Sequence, residues 1–558
     1  MRSVMTGLMR RVIAARSRPH RRALHIACTD VKRSQEQVLA GILSSAAHTV
    51  FGRMHGFSSM ASPADFQSGV HANTWEDLRP FVDRHEQGEA DVLFAGKPLF
   101  YATTSGTTGE PKRVPVTEAY RRDCYNGLSD VWLHSMFEDN PGFMNGFDLS
   151  MVGKTVEGRT QDGTAVGSLS GQLNGYMPAL VKKFRIIPFA AFDIDHYPSK
   201  YYALLRIALA CPLRWIVAPN PSTLLELARF GQARAEDLIR DIADGTLRDD
   251  LQISPDIRRA VERRLRRDRR RATALEKMAA GDDSFTPRGW WPTLQVVNTW
   301  KSGNAALYLR RARPLFPETT AFREFGYVAT EARAGIVLRN DQEASILTGH
   351  LLFFEFVHAS DLDSATRRFL LCHELQAGEQ YGIFVTTPAG LYRYDMNDIV
   401  RVEGFWGTFP MVRFVQKGAG VTSLTGEKLT ESQYLVAMEE ALAAAGGTAA
   451  FHIAFADPAA GCYKVFAELD ADGVDRDALA AALDLRLCNL NPEYRAKRAS
   501  NRLGTPSVVA LPTGAFLQFK ESRLARGARE GQFKLVHLQQ DPAQQAIFES
   551  LAGRTAID

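Results

Sequence analysis

Tyr101-Ala-Thr-Thr-Ser-Gly-Thr-Thr-Gly-Glu-Pro-Lys-Arg-Val-Pro-Val-Thr117 interleaves four hydroxyl residues, Thr104, Ser105, Thr107 and Thr108, with Gly106 and Gly109, and Lys112 follows. Glycines let backbone N–H groups approach an anion closely, hydroxyls add donors and a lysine adds positive charge, so such a loop can cradle a triphosphate. It is not a Walker A loop, because Pro111 stands where that motif's second glycine precedes the lysine. An ordinary turn has a similar composition, so order and context must decide between the two. The preceding Asp91–Thr103 is apolar with turn residues inside it and reads as a buried strand, which places the loop after a strand.

Outward from this loop the chain reads as mixed α/β. Helix-like spacing marks Gln35–Ala47, Ser222–Ala243, Pro255–Ala279, Glu431–Ala445 and Arg476–Leu487. Strands are expected at Leu294–Val297, His350–Phe356, Tyr381–Thr387, Arg401–Phe405, Ala450–Phe455 and Tyr463–Glu468. At 558 residues the chain exceeds the size at which one core stops growing. Gly418 and Gly420 interrupt the pattern within Gln416–Thr425, which divides the chain into a basic extension (1–34), a large domain (35–415), a hinge (416–425) and a small C-terminal domain (426–558).

The balance of 67 basic and 63 acidic residues, a net +4, implies no polyanionic partner by itself. Residues 1–29 hold seven arginines and no acid, which suits an organelle transit peptide, a surface-binding helix or a solvated helix. The arginines between Arg258 and Arg271 suit an exposed helix, since no nucleic-acid motif accompanies them. The strongest apolar stretch, Leu351–Val357, is far too short to cross a bilayer, so no membrane association is expected. Six scattered cysteines without a C-x-x-C pair fit free thiols in a reducing cytoplasm.

Four further segments carry chemistry: Phe325-Gly-Tyr-Val-Ala-Thr-Glu331, Lys301-Ser-Gly-Asn-Ala-Ala-Leu-Tyr308, Leu391-Tyr-Arg-Tyr-Asp-Met-Asn-Asp-Ile-Val-Arg-Val-Glu-Gly-Phe405 and Gly531-Gln-Phe-Lys534. Taken singly, each has a bland alternative: a strand-end tyrosine and surface glutamate, a strand-to-helix turn, or a solvated lysine. Their order is more specific. Thr-Ser-Gly-Thr-Thr-Gly-x-Pro-Lys resembles the phosphate loop of adenylate-forming enzymes, and the arrangement from Gln35 to Lys534 resembles the Gretchen Hagen acyl-acid amido synthetases of plants and their bacterial relatives, with the bacterial branch expected. Asp395 and Asn397 depart from the plant pattern, where an arginine and a glycine are common.

The resemblance implies a firefly-luciferase-like α/β fold with a large N-terminal domain and a smaller, mobile C-terminal one. It implies ATP and Mg2+ as cofactors, with Thr104, Ser105, Gly106, Thr107, Thr108 and Lys112 on the phosphates. Tyr327 lies against the adenine ring, Thr330 is a further nucleotide-binding residue, Glu331 holds the metal, and Asp398 accepts the ribose hydroxyls. Thr299, Trp300, Ser302 and Gly303 border the acid. Lys417, in the hinge segment Val415-Gln-Lys-Gly418 that precedes Leu424-Thr-Gly-Glu-Lys-Leu429, also binds the nucleotide, and Lys534, which reaches into the active site in the adenylating arrangement, and Glu331 are the catalytic residues. The activity implied is adenylation of a small carboxylic acid, then transfer of the acyl group to an amine such as an amino acid, with the small domain swinging about Gln416–Gly420 between steps. A cytoplasmic monomer is expected. One rival keeps adenylation but uses a thiol acceptor, as acyl-CoA ligases do, against which stands Gln416-Lys-Gly418 in place of their Gly-Arg-x-Lys-Asp hinge. A second rival is a nucleic-acid or acidic-surface binding protein built on the arginine runs.

Overall fold

A computed structural model describes the chain except residues 1, 105–111, 177–184, 282–284, 304, 363, 365, 419–420, 423, 426, 428, 471–472, 500–502, 526–534 and 554–558. The described residues form two compact units, one of 1–396 with 400–414, the other of 397–399 with 415–558.

In the first unit the short runs Phe147–Ser150, Leu213–Val217, Val296–Thr299 and Ala321–Glu324 form a parallel sheet in that order. Parallel strands need crossovers that cover both faces, which is why runs such as Val-Val-Asn-Thr are buried throughout. Helices Tyr197–Ala208 and Ser222–Ala233 supply part of that cover, with Leu204, Leu205, Leu224 and Ala228 fully buried. The strands' C-terminal ends all point one way, and in open α/β sheets ligands bind outside those ends.

A second sheet orders Arg113–Val116, Phe100–Thr103, Ala165–Gly167 and Gly158–Arg159. A third, of seven strands among the described residues, runs Leu370–Leu371, Phe353–His358, Gln380–Thr386, Tyr394–Trp406, Phe409–Lys417, Ser345–Leu347, Gly335–Ile336. Glu355 within the Phe353–His358 strand is 1% exposed and forms an ion pair with Arg393 at 2.9 Å, so the acid inside the most apolar stretch has a buried partner.

Three sequence expectations change. Within Asp91–Thr103 only Phe100–Thr103 is a strand. Val92, Leu93 and Phe94 are buried, but Asp91 accepts from Gly96 N at 2.7 Å and has φ +57°, a turn that breaks the ladder, and Pro98 offers no N–H. Ser222–Ala243 is two helices, broken at Arg234 with φ −120°. Pro255–Ala279 is likewise Pro255–Glu262 and Arg269–Ala279, the second started by Asp268, whose side chain accepts from Arg271 N. Arg271 is not on an exposed face: it donates to Leu209 O at 2.7 Å and Trp290 O at 2.6 Å.

The basic N-terminal stretch is helix Arg2–Ala27, packed on helix Gly127–Asp139. Met9, Ile13 and Leu24 are buried there, and Arg16 pairs with Asp130 at 2.9 Å. No helix among the described residues is long and apolar enough to cross a membrane.

The second unit orders strands Ser507–Ala510, Cys462–Leu469, Ala449–Asp457 and Leu538–Gln539. Helices Glu431–Ala444 and Arg476–Leu490 pack together, and Phe451, Ile453, Phe455, Phe466, Phe519 and Phe548 form its core. All six cysteines are free thiols.

Candidate active site

The hydroxyl-rich loop hangs from an antiparallel stem in which Phe100–Thr103 pairs with Arg113–Val116. The stem closes with Thr104 N donating to Lys112 O at 3.0 Å and Lys112 N donating to Thr104 Oγ1 at 3.3 Å. Thr104 and Lys112 therefore face each other at the loop's base, while Ser105, Gly106, Thr107 and Thr108 lie outside the described residues. Lys112 Nζ donates to Tyr394 Oη at 2.9 Å. Thr103 Oγ1 donates to Gly167 O at 3.0 Å, joining the stem to the Gly167–Gly171 segment. There Ser168 caps helix Leu169–Gly175 by accepting from Gly171 N at 3.0 Å.

The C-terminal ends of the parallel strands gather the next group. Thr299, which ends Val296–Thr299, is fully buried, and its Oγ1 donates to Pro219 O at 3.1 Å. Trp300 is half-buried, and its Nε1 donates to Gly326 O at 3.1 Å. Ser302 and Gly303 form the turn into helix Ala305–Ala312, with Gly303 at φ +59°. Lys301 Nζ pairs with Glu343 at 3.3 Å.

The neighbouring Ala321–Glu324 strand leads into Tyr327, which is 8% exposed and whose N donates to Ser345 Oγ at 2.8 Å. Thr330 and Glu331 are half-buried in a turn that Ala329 N closes on Ala332 O at 2.9 Å.

Glu324, absent from the motif reading, links these two loops. It is 4% exposed and accepts from Lys301 N at 2.7 Å and Gly326 N at 3.0 Å. Burial raises its pKa, against which the backbone donors and the Lys301 charge pull. The available signal was an acid ending a buried strand one residue before Phe325-Gly-Tyr327.

In the Leu391–Phe405 segment the arginine is an anchor. Arg393 is 2% exposed, holds φ +45° and donates to Glu355 and to Gln67 O. Asn397 occupies the position where glycine is common and has φ +49°, a conformation that asparagine tolerates better than most residues. In the second unit Asp398 is 4% exposed and pairs with Lys417 at 2.5 Å. Lys534 lies outside the described residues.

Among the described residues no group of three or more His, Cys, Asp or Glu is assembled as metal ligands. A single half-buried carboxylate at Glu331 fits a magnesium ion held chiefly by phosphate oxygens and water.

Against known proteins, the models for the GH3 family N-terminal, central and C-terminal domains match residues 21–321, 345–417 and 432–543. The chain is 26% identical over 544 residues to a probable indole-3-acetic acid-amido synthetase GH3.1 of Oryza sativa subsp. japonica, covering 90% of this chain and 86% of that protein. It is 24% identical over 536 residues to jasmonoyl-L-amino acid synthetase JAR6 of Nicotiana attenuata, covering 90% of each. The solved GH3.15 acyl acid amido synthetase superposes with a TM-score of 0.83 at 21% identity over 95% of both chains. A 2-hydroxyisobutyryl-CoA ligase in its postadenylation state superposes at 0.52 with 13% identity over 94% of this chain and 92% of that one. The fold is thus that of adenylate-forming ligases, and this chain belongs to the GH3 family.

Proposed function

We propose that this chain is an ATP-dependent acyl-acid amido synthetase. The observation that carries the reading is the family match across all three domains of a chain that closes its hydroxyl-rich loop with Lys112 at the base. A carboxylate is a poor electrophile, because its charge repels a nucleophile and oxide is a very poor leaving group. In the first step a carboxylate oxygen attacks the α-phosphorus of ATP and the bond to pyrophosphate breaks, a displacement that asks the protein for positioning and charge neutralisation. Thr104, Lys112 and the loop between them hold the β- and γ-phosphates, Tyr327 and Thr330 border the adenine, and Asp398 accepts the ribose hydroxyls. Lys534 neutralises charge as the carboxylate and phosphate meet.

Glu331 would hold magnesium, which when bound screens the phosphate charge. Trp300, Ser302 and Gly303 border the acid. In the second step an amine nitrogen attacks the acyl carbon, AMP leaves and the nitrogen loses a proton, giving an amide. The enzyme works as a monomer in the cytoplasm on a small acid and an amino acid, and it is a bacterial-branch member of the family.

A screen of aryl, indolyl and aliphatic acids for acid-dependent pyrophosphate release, with hydroxylamine and then amino acids as acceptors, tests this. An acyl-amino acid of the expected mass supports the reading. Thioester formation with coenzyme A in preference to amide would replace it with the ligase branch, and no acid-dependent release across the panel would reject adenylation.

A further inference from the structure

The last pair of the ladder between Val296–Thr299 and Ala321–Glu324 is Thr299 with Glu324, and Phe325 N donating to Thr299 O at 3.0 Å is its final rung. Beyond that rung the two chains part, one into the Trp300–Gly303 turn, the other through Gly326 into Tyr327. Backbone pairing no longer fixes one against the other. The Glu324 side chain extends the register past the strand ends, with one oxygen on Lys301 N and the other on Gly326 N. Trp300 Nε1 on Gly326 O adds a third link in the same place.

Gly326 itself cannot adjust through a bulkier residue, since it has φ +102° and an added Cβ would stand 3.2 Å from Gly335 O. A buried carboxylate is costly unless its oxygens are satisfied, and N–H bonds to an ionised acceptor are stronger than neutral ones. A neutral side chain of the same size, such as glutamine, offers one acceptor oxygen and turns an NH2 toward the other N–H.

We propose that Glu324 is a positioning residue of the first half-reaction, holding the Trp300–Gly303 turn and the Gly326–Tyr327 turn as one rigid piece so that acid and nucleotide meet in line. The proposal rests on the function given above, in which one turn borders the acid and the other the adenine. It requires that loosening Glu324 affect both turns together.

The test compares the full-length wild type with Glu324→Gln and Glu324→Asp, the latter keeping the charge but one methylene short of spanning both N–H groups. Hydrogen exchange is followed in peptides covering 300–303 and 325–327, beside acid-dependent pyrophosphate exchange at saturating substrates and the thermal midpoint. The expected result is faster exchange in both peptides at once. With it, kcat should fall about ten- to a hundredfold in molecules that remain folded, the scale at which small misplacement acts. A residue that only added stability would lower the midpoint and leave kcat per folded molecule unchanged, and that result overturns the proposal. So does faster exchange in one peptide alone, or wild-type behaviour in both variants. If the wild type itself turns over no acid, the functional reading fails, whereas paired exchange would still establish the coupling.

Discussion

Lys112 and Tyr394 are joined by a 2.9 Å hydrogen bond from the ammonium to the phenol oxygen, the ammonium lying 5.6 Å from the ring centroid. Tyr394 is 1% exposed and begins the Tyr394–Trp406 strand, so the base of the hydroxyl-rich loop is tied to the seven-stranded sheet of the first unit. A flexible lysine stem loses rotamer freedom when it is held like this, and pre-paying that loss favours a phosphate ligand.

Removing the phenol oxygen should therefore weaken nucleotide binding without touching the loop itself. Tyr394→Phe is expected to raise KM for ATP several-fold, less than the roughly 1.5–3 kcal/mol of a charged hydrogen bond because only the positioning of Lys112 is lost, and Lys112→Ala about tenfold or more. Unchanged ATP kinetics in both variants would remove Lys112 from the phosphate site.

Asp398 and Lys417 lie 2.5 Å apart in the second unit. If Asp398 also receives the ribose hydroxyls, Asp398→Asn should raise KM for ATP about tenfold, equivalent to about 1.4 kcal/mol, and should erase the preference for ATP over 2′-deoxy-ATP. A variant that keeps that preference would place the ribose elsewhere.

Lys534→Ala is expected to depress acyl-AMP formation about a hundredfold or more, the scale for losing a group that stabilises developing charge. Amide formation from supplied acyl-AMP should be largely spared. Equal losses in the two half-reactions would reject the assigned role.

His85 gives a pH prediction. It is 1% exposed, stacks on Phe94 at 4.3 Å, approaches Glu89 O with Nδ1 at 3.0 Å and accepts from Leu93 N on Nε2 at 3.0 Å. These contacts fit the neutral ring alone, and burial pulls its pKa down to about 4. His537 in the second unit, fully packed, is likewise pulled down to about 4. With the folded values below the ordinary value of about 6.5, the unfolded chain binds protons first as the medium acidifies. The stabilisation is complete above pH 6.5 or so and is lost as pH falls toward 4. Thermal unfolding should show a midpoint flat near neutrality and falling across that window, and His85→Gln should flatten the part that belongs to the first unit. A midpoint independent of pH from 7 to 4 would contradict the assignment.

The fold class was legible because short buried strands alternating with amphipathic helices leave few architectures, and because the hydroxyl-rich loop has a distinctive order. The Gly303 turn between strand and helix could also be read, since a glycine bounded by two periodicities has little else to do. Burial was harder to read. Arg393 and Glu355 are distant in sequence, and nothing local shows that the motif's arginine is sunk into an ion pair. Glu324 was missed for the same reason, as its partners Lys301 N and Gly326 N are backbone groups without a sequence signature. The break at Arg234 escaped because helical spacing continues across it while the backbone does not.

The Gly167–Gly171 segment sets a practical limit on redesign. A methyl group at Gly167 would stand 2.0 Å from Thr155 O, and one at Gly171 would stand 2.6 Å from both Gly153 O and Lys154 O. Main-chain carbonyls cannot swing aside as side-chain tips do. A library randomised across this segment should therefore return glycine at both places among its folded members.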